Sequence, residues 1–165
     1  GTSGEGIGKY QGYTLFIKDT TIGDKALVKV MKAGKSYGYA RLVSIIEPSP
    51  YRVKPRCPIA DKCGGCQIMH MDYDKQLEYK EDKLRNCLTR IGGFKDIPME
   101  PICGMDDPYY YRNKNQFPVG REKEGKVNIG FYAGRTHFII DTNHCYISAE
   151  VNIQIIKFLR SFIAR

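Results

Sequence analysis

Cys57-Pro-Ile-Ala-Asp-Lys-Cys63-Gly-Gly-Cys66 divides the chain and sets how both sides of it are read. Its spacing is C-x5-C-x2-C. Gly64 and Gly65 let the backbone fold tightly, so both flanking sulfurs can point at one centre. Three thiols this close require a fourth ligand, and four thiolates suit an iron–sulfur cluster or a structural zinc. Zinc usually draws its ligands as two short pairs, and no second pair is present. A three-plus-one set with a remote fourth cysteine fits a [4Fe–4S] cluster better. Structural zinc and reduced, metal-free thiols are the other readings.

Three further cysteines compete for the fourth position: Cys87, Cys103 and Cys145. Cys87 falls on an apolar stripe with Leu84, Leu88 and Ile91, where a buried free thiol is an ordinary core filler. Cys103 sits in a Pro/Gly loop. Cys145 lies between a strand and the Ser148 that precedes a helix, the most suitable local context. His70 and His144 are near in sequence, with an ordinary polar role favoured over ligation.

Upstream of the cysteines, residues 6–47 read as short strands. Tyr13, Leu15 and Ile17 alternate with Thr14, Phe16 and Lys18. Lys25 to Lys32 and Tyr37 to Ile46 alternate likewise, with turns at Gly23-Asp24 and Ala33-Gly34-Lys35-Ser36. Short strands at about ten-residue spacing between glycine turns predict a small β-barrel. Pro48, Pro50 and Pro55 mark a linker.

Downstream, Asp72 is a plausible N-cap and 73–91 reads as a helix with Cys87 on its apolar face. Gly92-Gly93 stops it. Tyr109–Val119, Lys126–Tyr132 and Thr136–Asp141 read as a β-meander, with turns at Arg121–Gly125 and Ala133-Gly134. Ser148 caps a last helix whose apolar residues are Val151, Ile155, Ile156, Leu159, Phe162 and Ile163, running to Arg165. The predicted fold class is α+β, mostly β: an OB-like barrel over residues 1–52, then an α+β domain over 53–165 with a meander and two helices.

Composition sets bounds. The 165 residues are 42% hydrophobic and 27% charged, as ordinary globular material is. They are too few for a small RNA-binding part plus a complete Rossmann domain. No stretch approaches the roughly 20 apolar residues needed to span a bilayer, and no secretory signal is visible. A cytoplasmic chain with no membrane partner is expected, and a disulfide framework is disfavoured. The first residue is Gly1 rather than Met, which predicts a trimmed or processed end.

The net charge is +8. Residues 1–56 hold seven Lys and three Arg against four acids, so most of the excess lies in a third of the chain. Such a concentration points to a polyanion. Lys9, Lys29, Lys32, Lys35, Tyr37, Tyr39 and Arg41 interleave cations and rings, which would engage phosphates and stack bases. The competing reading has Tyr37 and Tyr39 facing the core. Arg112, Lys114 and Arg121 are a second candidate group for RNA contact. In Tyr109-Tyr110-Tyr111 at least one ring is expected in the core, since strand side chains alternate.

The cysteine run continues with His70, Tyr73, Gln76-Leu77 and Lys80. The whole pattern C-x5-C-G-G-C-x3-H-x2-Y-x2-Q-L-x2-K resembles the iron–sulfur-containing RNA uracil-5-methyltransferases. Gly4-Glu-Gly-Ile-Gly8, Gly12-Tyr-Thr-Leu-Phe16, Gly23-Asp24 and Pro48-Ser49-Pro50 resemble that family's TRAM domain, a small RNA-binding barrel. Tyr111-Arg112-Asn113-Lys114 resembles the start of its central β-domain. The resemblance covers nearly the whole chain. It implies that Cys57, Cys63, Cys66 and Cys145 hold a [4Fe–4S] cluster. Tyr146 follows Cys145 where a proline is often found.

By the same resemblance, methyl transfer from S-adenosylmethionine to uracil carbon 5 takes place in a further C-terminal domain that carries the nucleophilic cysteine. That domain is absent from the sequence, so no residue is assigned as catalytic or as binding S-adenosylmethionine, and the chain alone is expected to be inactive. Gly4–Gly8 is not a cofactor loop, because no strand precedes it. The implied substrate is 23S rRNA, with tRNA as an alternative, and the chain is expected to be a monomer. A freestanding RNA-binding zinc module and a small iron–sulfur electron carrier are the rival classes.

Overall fold

The computed structural model describes residues 1–122 and 124–163. The expected turn at Arg121–Gly125 contains Lys123, and the expected end of the last helix contains Ala164 and Arg165; these three positions lie outside the described residues. The chain forms two compact units. One comprises Gly1–Lys54 with Gln67–Gly104, the other Pro55–Cys66 with Met105–Arg165. The boundary read at 52/53 therefore does not follow the compact units: segment 67–104 folds with the N-terminal strands.

In the first unit, β1 (Gly6–Tyr10), β2 (Tyr13–Ile17), β3 (Lys25–Ala33) and β4 (Tyr37–Glu47) form one sheet in the order β1-β2-β4-β3. Gln11 and Gly12 join β1 to β2 with φ of 47° and 82°. Positive φ at both loop positions is the geometry that matches strand twist in a two-residue hairpin. β2 runs parallel to β4, with Leu15 opposite Gly38 and Ile17 opposite Ala40. Leu15, Ile17 and Ala40 are buried, and Tyr13, Val28 and Leu42 pack on them. A Cβ on Gly38 would lie 2.7 Å from the Lys32 carbonyl, so only glycine lets β3 pass that close.

The proline-rich stretch after β4 is ordered. Ser49 is buried and its amide donates to Asp24 Oδ1 at 3.0 Å. Gly23 has φ of 90°, and a Cβ there would reach within 3.2 Å of Ser49 Oγ. Gly23-Asp24 and Pro48-Ser49-Pro50 thus meet in space.

α1 (Tyr73–Asn86) is capped by Asp72, whose side chain accepts from the amides of Asp74 and Lys75 at 3.1 and 3.4 Å. The expected single helix over 73–91 is instead α1 followed by a π-helical turn, Cys87–Ile91. Gly93, at φ of 71°, ends it. None of the α1 residues is buried, and Cys87 is exposed rather than a core filler.

In the second unit, β5 (Val119–Arg121), β6 (Val127–Tyr132) and β7 (Ile139–Asp141) form an antiparallel meander. The strand expected over 109–119 is not one. Tyr110 has φ of 52°, and only Arg112 makes a bridge, parallel, to Ser148. β7 is shorter than 136–141 because Thr136 donates its amide back to Ala133 in a turn, 3.0 Å. α2 (Glu150–Ile163) lays Ile156 and Ile163 against Val127, Ile129 and Phe117. Ile153 is buried as well, while Val151, Ile155, Leu159 and Phe162 of the expected apolar stripe are exposed. Arg160 locks α2 to the meander. Its guanidinium donates to the carbonyls of Val127 and Ile129 at 3.0 Å and pairs with Asp141 at 2.8 Å.

Candidate metal centre and nucleic-acid interface

The four predicted cysteines all fall in the second unit, and among the described residues none of the six cysteines is in a disulfide. The 57–66 loop is set by local bonds. The Cys63 amide donates to the Ile59 carbonyl at 2.8 Å, and the Gly64 amide to the Tyr132 carbonyl at 3.0 Å. A Cβ on Gly64 would lie 3.0 Å from that carbonyl oxygen and 3.2 Å from the Gly134 backbone. Close approach, not positive φ, is what this glycine serves. The Gly65 amide donates to Cys63 Sγ at 3.3 Å.

Burial pushes the Cys66 thiol up to about 11; the charges of Cys63, Cys145 and Cys57 add to that, and the Arg112 guanidinium works against it. Burial also raises Cys57, opposed by an amide bond from Ile59 and reinforced by Cys63, Cys145 and Asp61. Cys66 is thus influenced by all three other members of the predicted set, and Cys57 by Cys63 and Cys145. Among the described residues no three His, Cys, Asp or Glu side chains converge closely enough to hold a metal ion as they stand. Coulomb effects between these thiols reach farther than a metal–sulfur bond of about 2.3 Å. Four cysteines are a donor set whose chemistry suits a positive metal centre, which would deprotonate them on binding.

Sequence reasoning did not single out Arg56, whose guanidinium lies over the rings of Tyr109, Tyr146 and Tyr110. Nor did it foresee the influence of Arg112 on Cys66. Arg112 and Lys114 are exposed in the second unit. His144 packs on Tyr146 at 4.3 Å and meets the Tyr110 hydroxyl at 3.2 Å. His70 lies in the first unit, buried, with Nε2 lacking a hydrogen-bond partner among the described residues. Burial lowers its pKa, as the nearby Arg52 charge also does, while a bond to the Thr20 backbone works the other way.

The other candidate group lies on the first unit. Because β2 and β4 bury Leu15, Ile17, Gly38 and Ala40, their alternate residues face outward. Phe16, Tyr37 and Tyr39 come together there, with ring centroids 5.6 to 5.9 Å apart. Tyr37 and Tyr39 are 49% and 43% exposed, which rules out the core placement weighed from the sequence. Lys29 stands opposite Arg41 across β3 and β4, and Lys32 opposite Tyr39. Lys9 is exposed on β1 and Lys35 in the β3–β4 turn. A cavity of 840 Å³ between the edge strands is lined by Ile7, Leu15, Ile17, Val28 and Val30; none of the cysteines lines it. No helix among the described residues is long and apolar enough to cross a membrane.

Residues 1–43 match the TRAM domain. The chain is 48% identical over 165 residues to an uncharacterized RNA methyltransferase of Clostridium tetani, covering 100% of this chain and 35% of that protein. A Bacillus cereus protein of the same description is 42% identical over 154 residues, 93% of this chain and 33% of its own. Pyrococcus abyssi tRNA (uracil-54, C5)-methyltransferase, solved in complex with S-adenosyl-L-homocysteine, superposes with a TM-score of 0.60 at 27% identity, over 97% of this chain and 34% of that one. The chain thus spans about a third of the length of the relatives it matches. Over the part that it spans, the chain is similar to proteins named RNA methyltransferase, and its first 43 residues match the TRAM domain.

Proposed function

We propose that the chain is the RNA-recognising and cluster-holding portion of an S-adenosylmethionine-dependent RNA uracil-5-methyltransferase acting on 23S rRNA, a cytoplasmic monomer. The observation that carries the RNA part is the outer face of the sheet. Lys29 and Arg41 stand directly opposite each other beside three clustered rings. Like charges across a strand pair weaken the sheet, and a bound phosphate removes that repulsion. In this reading residues 1–52 form an OB-like TRAM barrel, in which Lys9, Lys35 and Arg41 bind phosphates and Tyr39 stacks a base. Arg112 and Lys114 add phosphate contacts from residues 53–165, the cluster and central domain.

Cys57, Cys63, Cys66 and Cys145 hold a [4Fe–4S] cluster in this reading. A cluster there supplies a covalent tie between a loop and a segment some 80 residues later, which substitutes for core in a small domain. The residues themselves already seat the loop through the Gly64–Tyr132 bond. The methyl transfer belongs to the intact enzyme, not to groups assigned in this chain.

Competition binding tests the substrate. The chain is expected to bind a fragment of 23S rRNA in preference to tRNA, with affinity falling steeply as salt rises. The likeness to the tRNA enzyme of P. abyssi favours the second reading, and tighter binding to tRNA would establish it. A colourless chain with one zinc would instead favour a freestanding RNA-binding zinc module.

A further inference from the structure

We propose that Arg56 and Tyr146 form a cation–π clamp that holds Cys57 beside Cys145 with no metal present. Arg56 directly precedes Cys57, and Tyr146 directly follows Cys145. The Arg56 guanidinium carbon lies 5.3 Å from the centroid of the Tyr146 ring, 4.7 Å from that of Tyr109 and 5.6 Å from that of Tyr110. All three distances fall within the roughly 6 Å over which a ring quadrupole attracts a guanidinium. One cation therefore links the first cysteine of the loop to the remote fourth.

The rings are held in place independently of Arg56. The Tyr110 amide donates to the Tyr146 carbonyl at 2.9 Å. The Tyr110 hydroxyl meets His144 Nε2 at 3.2 Å, and the His144 ring packs on Tyr146 at 4.3 Å. Tyr110 takes φ of 52° to reach this position, a conformation that persists only where surrounding contacts over-determine it. The Arg112 amide bonds the Ile147 carbonyl at 2.8 Å and extends the pairing past Cys145. The result is a rigid aromatic receptacle built from two segments, into which Arg56 carries Cys57.

Tyr146 gives Arg56 its third ring. Arg56 and Tyr146 are thus positioning residues for the metal centre. That purpose rests on the cluster reading; the existence of the clamp does not.

The test uses the full 165-residue chain, stripped of iron and zinc and kept reduced. Dibromobimane crosslinks between Cys57 and Cys145 are counted by peptide mass spectrometry against those between Cys63 and Cys66, an internal reference in the same loop. The parent and Tyr146→Phe, which keeps the ring, are expected to give the same ratio. Arg56→Gln and Tyr146→Ala are expected to lower it about tenfold. An unchanged ratio in these two variants overturns the clamp. Should Tyr146→Ala unfold, Arg56→Lys replaces it: a lysine that restores the ratio supports the clamp, and one no better than glutamine overturns it. A parent that shows the expected ratios but takes up no iron on reconstitution keeps the clamp and removes the cluster reading.

Discussion

Arg52 grips both carboxylate oxygens of Asp24, its Nε 2.9 Å from Oδ1 and 3.1 Å from Oδ2 and its terminal nitrogen 2.5 Å from Oδ2. The Asp24 side chain is only 1% exposed. The amides of Thr21 and Ser49 donate to the same carboxylate at 2.7 and 3.0 Å. The pair ties the β2–β3 connection to the chain after β4. Removing Arg52 strands a buried carboxylate, so Arg52→Ala is expected to cost about 3 kcal/mol. Urea unfolding at neutral pH checks this, and an unchanged midpoint would show that the pair holds nothing.

The same site sets a response to acid. Burial raises the Asp24 pKa, but the Arg52 bond, the two amides and the Arg52 charge outweigh it and leave the pKa below the ordinary 3.8. A carboxylate depressed in the fold contributes its full stability above the unfolded value and loses it as pH falls through the folded value. Stability should therefore drop below about pH 4. Asp24→Asn should be less stable at neutral pH and lack that step. A variant with the parent's acid profile would contradict this.

His70 adds a second, milder window. Its folded pKa lies below 6.5, first because it is buried. The unfolded chain then binds the proton more readily, so stability is whole above about pH 6.5 and falls as pH drops toward the folded pKa. His70→Gln should flatten the stability profile below about pH 6.5. Parallel profiles for variant and parent would remove His70 from the account.

The two glycines between Cys63 and Cys66 should not behave alike. At Gly64 an added Cβ meets backbone on two sides, which cannot yield, and Gly64→Ala is expected to cost about 1–3 kcal/mol and to lower iron uptake. At Gly65 the nearest atom is Cys63 Sγ at 3.4 Å, an ordinary contact. Gly65→Ala should be tolerated. Differential thermal unfolding of the two variants decides, and equal losses would mean that the backbone approach at Tyr132 is not the constraint.

What the sequence made legible follows from how local each signal is. β2, β3 and β4 announce themselves by alternation, and the Asp72 cap by its position before an apolar run. β1 carries no alternation of its own between Gly6 and Gly8, and Gly6 is there because a Cβ would strike Thr20. Tyr109–Val119 looked like a strand because it is rich in rings. Its amides at Tyr110 and Arg112 instead bond to carbonyls 146 and 147, pairings no local pattern announces. Cys87 reads as core at helical spacing, yet the π-helical turn and the exposure of α1 remove any core from beneath it. Of the candidate site, the C-x5-C-x2-C loop was readable from spacing, whereas Cys145 rested on its local context and on the resemblance. The nearness of Arg112 and the seat of Arg56 depend on contacts distant in sequence.

The RNA face makes a separate forecast. Arg41→Ala should weaken binding to every RNA and reduce the salt slope by about 1, as loss of one phosphate contact does. Tyr39→Ala should weaken binding by roughly 1–3 kcal/mol with the slope unchanged, because stacking releases no counterions. Identical salt slopes for parent and Arg41→Ala would take Arg41 off the phosphate backbone.

The central claim is that Cys57, Cys63, Cys66 and Cys145 hold a cluster. Purification without oxygen, followed by an absorption spectrum near 400 nm and assays of iron, sulfide and zinc, tests it most directly. The account predicts a broad brown absorbance with about four iron and four sulfide per chain, lost together in Cys145→Ser. A colourless chain carrying one zinc, or no metal, would contradict it.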